Sequence, residues 1–162
     1  MLVADTTASI SKLADIDEST RGTQIRIGAH SVIDSFVRIK CAGGTSDVVI
    51  GEYCYINSGT VIYSGNGLRM GHHVLIAANC TLAPVNHACK ERDRLIMEQR
   101  FSVSKGGIVI EDDVWIGAGC VVLDGAILRK GAVVGACSLV RGELDTYGIY
   151  AGNPLVKIGE RT

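Results

Sequence analysis

From Ile110 to Leu144 the chain reads as successive sixes, IEDDVW, IGAGCV, VLDGAI, LRKGAV, VGACSL and VRGEL. An aliphatic residue opens every one: Ile110, Ile116, Val122, Leu128, Val134 and Val140. The fifth place holds Val114, Cys120, Ala126, Ala132 and Ser138, all small or β-branched, and Leu144 is the first bulky exception. The second place is often glycine or acidic, as at Glu111, Gly117 and Gly135. Period six matches neither an α-helix, whose faces recur every 3.6 residues, nor a simple strand, whose faces alternate. It fits a chain that turns a corner every sixth residue, with short strands forming flat faces and the first and fifth places turned inward.

Such hexapeptide repeats mark a parallel β-helix, in which each rung buries little alone and stacking builds the core. The pattern opens at Ile27 (IGAHSV, IDSFVR) and breaks at CAGGTSDVV, where Gly43-Gly44 predict a protruding turn. It resumes at Ile50 (IGEYCY, INSGTV, IYSGNG), slips by two residues around Leu68-Arg69, and returns as MGHHVL, IAANCT and LAPVNH. Met1–Thr23 carries no sixfold pattern and is expected to cap the first rung, with Ser9–Ile16 a short helix or an extended segment. Residues 84–107 form a long polar excursion, and loops of this length inside a compact domain are uncommon and usually functional or disordered. After the last six, Gly152-Asn153-Pro154 signals a turn that folds the end back. The expected division is a cap over 1–24, a β-helix over 25–144 carrying the loop 84–107, and a closing segment over 145–162.

At 162 residues this is one all-β domain with ample core material, and 47% hydrophobic with only 5% aromatic content suits an Ile/Val/Ala-packed solenoid. A net charge of -1 gives no basic field for nucleic acid. No run reaches the roughly 18 apolar residues of a membrane span. Met1–Ala14 lacks the basic start and apolar run of a secretory signal, so a cytoplasmic protein with reduced thiols is expected. Cys54, Cys80 and Cys120 occupy fifth places and read as small core residues; Cys41, Cys89 and Cys137 are out of that register. Without a C-x-x-C pair, no metal site is expected.

The sixes, Asn86-His87 at the entry of the excursion, VWIG at 114–117 and AGNP at 151–154 together resemble the hexapeptide-repeat acyltransferases. The branch they are most similar to is the maltose, galactoside and polysaccharide O-acetyltransferases, over about Ile27 to Ile158. The resemblance implies a left-handed β-helix, an exception to the usual right-handed crossover. It also implies a homotrimer with sites at the subunit clefts, acetyl-CoA as co-substrate in the groove between helices, and a sugar acceptor.

Moving an acetyl group to a hydroxyl needs a base, donors for the oxyanion and two substrates held together. His87, at the mouth of the loop and at the family's catalytic position, is the expected base. His30, His72 and His73 fall on corner places and read as solvated. Asn57 matches a substrate-contacting asparagine of the related enzymes, with Asn79 and Asn86 as weaker candidates. Ser64-Gly65-Asn66 departs from the acidic pair of the galactoside enzymes, and Glu98 and Gln99 could reach an acceptor. Trp115 is expected beside the active site and the thioester end of the cofactor. The family places backbone contacts to the cofactor at Gly117, Ala118, Gly135 and Ala136, and its phosphates at Arg141, with Lys157, Arg129 and Lys130 as further cations. Two other readings stay open: N-acetylation of a nucleotide-linked amino sugar, and a β-helical scaffold or carbonic-anhydrase-like protein, the latter needing three zinc-binding histidines.

Overall fold

A computed structural model describes residues 1–162 and resolves the sixes into triangular coils of three short strands each. The first coil comprises β1 (Leu2–Ala4), β2 (Ser9–Ile10) and β3 (Asp15–Ile16), and the second β4 (Ile25–Ile27), β5 (Val32–Ile33) and β6 (Arg38–Lys40). Then come β7 (Val48–Ile50), β8 (Tyr55–Ile56) and β9 (Val61–Tyr63), followed by β10 (Leu68–Met70), β11 (Leu75–Ile76) and β12 (Thr81–Ala83). A loop carrying the single turn of α1 (Ile96–Gln99) leads to β13 (Ile108–Ile110), β14 (Trp115–Ile116) and β15 (Val121–Leu123). The last coils are β16 (Ile127–Leu128), β17 (Val133–Val134) and β18 (Leu139–Val140), then β19 (Glu143–Leu144), β20 (Gly148–Ala151) and β21 (Val156–Glu160). Corresponding strands stack in parallel into three faces: face 1 from β1 to β19, face 2 from β2 to β20 and face 3 from β3 to β18.

First-place side chains form the inner column of each face. On face 1, Ile27, Ile50, Met70, Ile110, Leu128 and Leu144 lie in register and are all buried. The fifth place is buried too, and it has a second property. Cys54 Sγ–H donates to the Gly71 carbonyl at 3.1 Å, Cys80 to Gly117 at 3.2 Å and Cys120 to Gly135 at 3.1 Å. Ser31 and Thr60 make the same bond with hydroxyls, to Gly51 and Ala77. A small side chain with one donor satisfies a carbonyl of the next coil that the ladder leaves over. The fourth place of most sixes takes a left-handed backbone, as at His30, Phe36, Tyr53, His73, Asn79, Asp113 and Cys137.

Two expectations change. Met1–Thr23 is not outside the repeat: Ala4, Ile10 and Ile16 pair with Ile27, Ile33 and Ile39, so Leu2–Ile16 is a full first coil and Ser9–Ile16 is extended, not helical. The pattern was hidden because Ala4 opens the first six. Leu144 is not a bulky fifth-place residue: it pairs with Leu128 and opens a new six, after the count shortens at Arg141-Gly142. The end doubles back, β21 running antiparallel on β20.

Within every coil the two corners flanking face 2 keep the count of six. All departures fall at the third corner, between face 3 and face 1. There the turn after Lys40, the slip at Ser64–Gly67, the excursion after Ala83 and the shortening at Arg141-Gly142 stack on one another.

Candidate functional site

The third corner is built as its own stack. Gly65 N–H donates to Ala42 O at 2.9 Å and Asn66 N–H to Pro84 O at 2.9 Å. The Val85 side chain lies against Gly43 and Gly65, where a β-carbon would fall within 3 Å of it. From there the chain leaves as a short hairpin. His87 and Phe101 form an antiparallel bridge, Ala88 N–H donates to Arg100 O at 3.0 Å, and Ser102 N–H donates to Asn86 O at 2.8 Å. Gln99, which could reach an acceptor, lines the cleft of His87 but commits its amide to the loop: it accepts from Glu91 N–H at 3.1 Å and donates to the Glu91 and Arg94 carbonyls at 2.8 and 2.9 Å. Its amide is thereby used up in holding the loop together, while Glu98 stays exposed.

His87 packs its ring on Phe101, 4.9 Å between centroids, and its Nδ1 lies 3.0 Å from the Arg100 carbonyl oxygen. A carbonyl only accepts, so Nδ1 carries the hydrogen and Nε2 keeps a free lone pair in the neutral ring. Arg100 sits at φ 63°, ψ -137°, a backbone region unfavourable to a side chain, and its carbonyl serves both His87 and Ala88.

Asn86 and His87 line a cleft of about 880 Å³ with Cys89, Lys105, Asp124 and Arg141. Asp124 was not foreseen. Only 6% exposed, its carboxylate accepts from Lys105 N–H at 2.8 Å, Gly107 N–H at 2.9 Å and Asn66 Nδ2 at 3.1 Å. It clamps the loop's exit to the coil before it and the coil after it. Its only trace in the sequence is an acid in the third place of VLDGAI. Lys90, Lys105 and Arg141 form no ion pair, and against them stand Asp124 and Glu91, the latter facing Arg94 at 3.8 Å, so basic side chains outnumber acidic ones in the cleft.

The remaining candidates lie elsewhere on the prism. Asn57, Asn79, Gly117, Ala118, Gly135 and Ala136 share the corner between faces 2 and 3. Asn57 Nδ2 donates to Ile76 O at 2.8 Å, and Asn79 takes the left-handed corner conformation. At Gly117 a β-carbon would lie 2.6 Å from Ala136 N, so close stacking of coils already requires glycine there. The N–H groups of Ala118 and Ala136 make no hydrogen bond and both residues are exposed, leaving two parallel donors on successive coils. Trp115 stands next to this corner on the outside of face 2, 51% exposed, in register with Tyr55, Leu75 and Val133. Lys157 is engaged with Asp145 at 3.1 Å, whose hydrogen bond holds it above the usual lysine range. Arg129 is likewise held between Glu111 and Glu143, at 2.8 and 2.7 Å. Lys130 is exposed and joins no ion pair, though its N–H donates to Glu111. His30, His72 and His73 occupy the corner between faces 1 and 2, where His30, Tyr53 and His73 stack at 4.8 and 5.1 Å. In one chain, therefore, the His87 cleft and the donor corner with Trp115 do not meet.

A family model described as bacterial transferase hexapeptide (six repeats) matches residues 107–142. A candidate acetyltransferase of Saccharomyces cerevisiae is 31% identical over 146 residues, 88% of this chain and 71% of its own length. A chloramphenicol acetyltransferase of Klebsiella aerogenes is 28% identical over 158 residues, 90% of this chain and 72% of its own. A galactoside O-acetyltransferase of Lactococcus lactis is 28% identical over 111 residues, 68% of this chain and 52% of its own. The solved structure of AntD, an N-acyltransferase from Bacillus cereus in complex with dTDP and 3-hydroxybutyryl-CoA, superposes with a TM-score of 0.81 at 26% identity, covering 99% of this chain and 83% of that one. A left-handed parallel β-helix built on these sixes, with relatives of this kind along most of its length, places the chain in the hexapeptide-repeat acyltransferase family.

Proposed function

We propose that the protein transfers the acetyl group of acetyl-CoA to a hydroxyl of a sugar or glycan, with His87 as general base. The observation that carries this is the Nδ1–H bond to the Arg100 carbonyl, which leaves Nε2 as the ring's only acceptor in a cleft large enough for a sugar. Nε2 takes the hydroxyl proton as that oxygen attacks the thioester carbonyl. The tetrahedral oxyanion then collapses, the carbon–sulfur bond breaks, and the proton on Nε2 passes to the departing thiolate. The free N–H groups of Ala118 and Ala136, with Trp115 beside them, suit the cofactor's pantetheine arm, and Arg141 suits a phosphate. Asn57, Asn79 and Asn86 remain the acceptor contacts.

Because these two groups lie on different corners, a complete site requires a second copy, and we extend the reading to a homotrimer with clefts between subunits. Two exposed apolar surfaces support this: Tyr55, Leu75 and Trp115 on face 2, and Leu95, Ile96, Met97 and Val103 on the outside of the loop. No helix is long and apolar enough to cross a membrane; the reading places the protein in the cytoplasm, where free cysteines persist.

Acetyl-CoA at about 100 times its dissociation constant should stabilise the protein by about 2.7 kcal/mol. In His87→Ala that shift should persist while turnover of a hydroxyl acceptor falls by about 10²–10⁴. Wild-type turnover in His87→Ala would end the proposal. A second reading is N-acylation of a nucleotide-linked amino sugar, favoured by the likeness to AntD, whose structures include one with dTDP-4-amino-4,6-dideoxyglucose and coenzyme A. An amine that is already deprotonated needs the base less, so turnover of such an acceptor with little dependence on His87 would select it.

A further inference from the structure

The stacked breaks in the repeat create a second hollow, on the other side of the loop's exit, outside the residues assigned to acyl transfer. It is a cleft of about 790 Å³ on the outside of face 1, with Val49 and Val109 in its floor and the turn bearing Thr45, Ser46 and Asp47 as one wall. Arg26 and Arg69 rise from it on either side of Val49, in register with it. Their Cα atoms are thus two strand spacings apart, about 9.6 Å.

Neither guanidinium meets a carboxylate. Arg26 donates through Nε and Nη2 to Gln24 Oε1, at 3.0 and 2.6 Å, and Arg69 makes no hydrogen bond. The one acid in the cleft, Asp47, accepts from Gln24 N–H at 2.8 Å. Arg129 and Arg161 are neutralised, by two glutamates and by Asp113, whereas Arg26 and Arg69, like Arg141 in the first cleft, are not. The whole guanidinium of Arg69 and the Nη1 donors left to Arg26, on strands either side of Val49 and beside two hydroxyls, suit the recognition of a tetrahedral oxyanion.

The geometry points to a phosphoryl-binding site: the second cleft takes the phosphate or diphosphate of a small molecule, bridging Arg26 and Arg69 with Thr45 and Ser46 at its edge. Only the segment Lys105-Gly106 and the hydrogen bond from Asn66 to Asp124 separate it from the His87 cleft. The group could therefore be carried by the acceptor itself or by a separate effector that steadies the loop's exit. Binding at this cleft does not depend on the acetyl-transfer reading.

The test is titration of wild type and the Arg26→Gln/Arg69→Gln variant with inorganic phosphate and with pyrophosphate, at ionic strength held constant by sodium chloride, followed by thermal shift and calorimetry. Saturable stabilisation of wild type, weaker by at least tenfold in affinity in the variant, is expected, with the acetyl-CoA shift equal in both. An equal response in the two proteins, or none in wild type, overturns the proposal; an unchanged melting temperature of the free variant excludes misfolding as the cause. In a transfer assay, pyrophosphate competing with the acceptor assigns the site to the acceptor's own phosphate. Binding that leaves the acceptor KM unchanged assigns it to a free effector.

Discussion

Asp124→Ala tests whether a buried carboxylate holds the candidate site together. Three N–H donors lose their acceptor at once: Lys105 and Gly107 on the loop's exit and Asn66 on an earlier coil. Hydrogen bonds to a charged acceptor contribute about 1.5–3 kcal/mol each. Lys105 is exposed and Asn66 half-buried, so both regain water, whereas the Gly107 N–H is buried and stays unpaired. The carboxylate's own desolvation disappears with it, which offsets part of the loss. A net cost of about 2–4 kcal/mol follows, or about 5–15 °C in Tm for a domain of this size. Asp124→Asn keeps one acceptor but turns an NH2 toward a donor, so it should fall between the two. Hydrogen exchange is the sharper assay: amides of 86–107 should exchange faster while those of the coils keep their protection. Because a misplacement of about 1 Å can cost about 10²-fold in rate, kcat should drop with the acetyl-CoA thermal shift retained. A Tm within 1 °C of wild type, or loop exchange unchanged, refutes the clamp.

Thiol labelling of the native protein should modify Cys89 and Cys137 quickly and half-buried Cys41 slowly. Cys54, Cys80 and Cys120 should react only on unfolding, because all three are buried and closed to reagent; burial raises the Cys54 thiol and Cys120 pushes Cys80 up, while the Cys80 contact pulls Cys120 down to about 7, so its protection is access alone. More than three reactive thiols in the folded state would contradict the assigned register. Acid should destabilise the fold in a defined window. Hydrogen bonds from Arg129, Lys40 and Lys157 hold Glu111, Asp15 and Asp145 below the ordinary carboxylate range. Their contribution is complete above the unfolded pKa, about 4, and vanishes as pH falls through the lower folded values. Tm should drop from about pH 4 downward, less steeply in Glu111→Gln, and a profile flat to pH 3 would remove these pairs from the account.

What the sequence made legible follows from what a β-helix repeats. First- and fifth-place side chains meet the same surroundings in every coil, so their pattern predicts the faces, the core and the burial of three cysteines. The first coil escaped notice because alanine at Ala4 carries too little contrast to mark a beginning, and the last because Leu144 suits an inward position in either count. His87 was legible for the opposite reason: it stands where the pattern stops. Its partners were not, because the acceptor that sets its tautomer is the backbone of Arg100, and a carbonyl has no letter in the sequence. Asp124 was missed for a related reason. Its three partners come from an earlier coil and from the far side of the loop, brought together only because each departure from six is spent at the same corner. Two corners that never vary keep the stack in register, so the third can absorb a turn, a slip, an excursion and a deletion without disturbing the core. A chain arranged in this way confines its irregular, chemically varied segments to one edge, and both clefts lie on that edge.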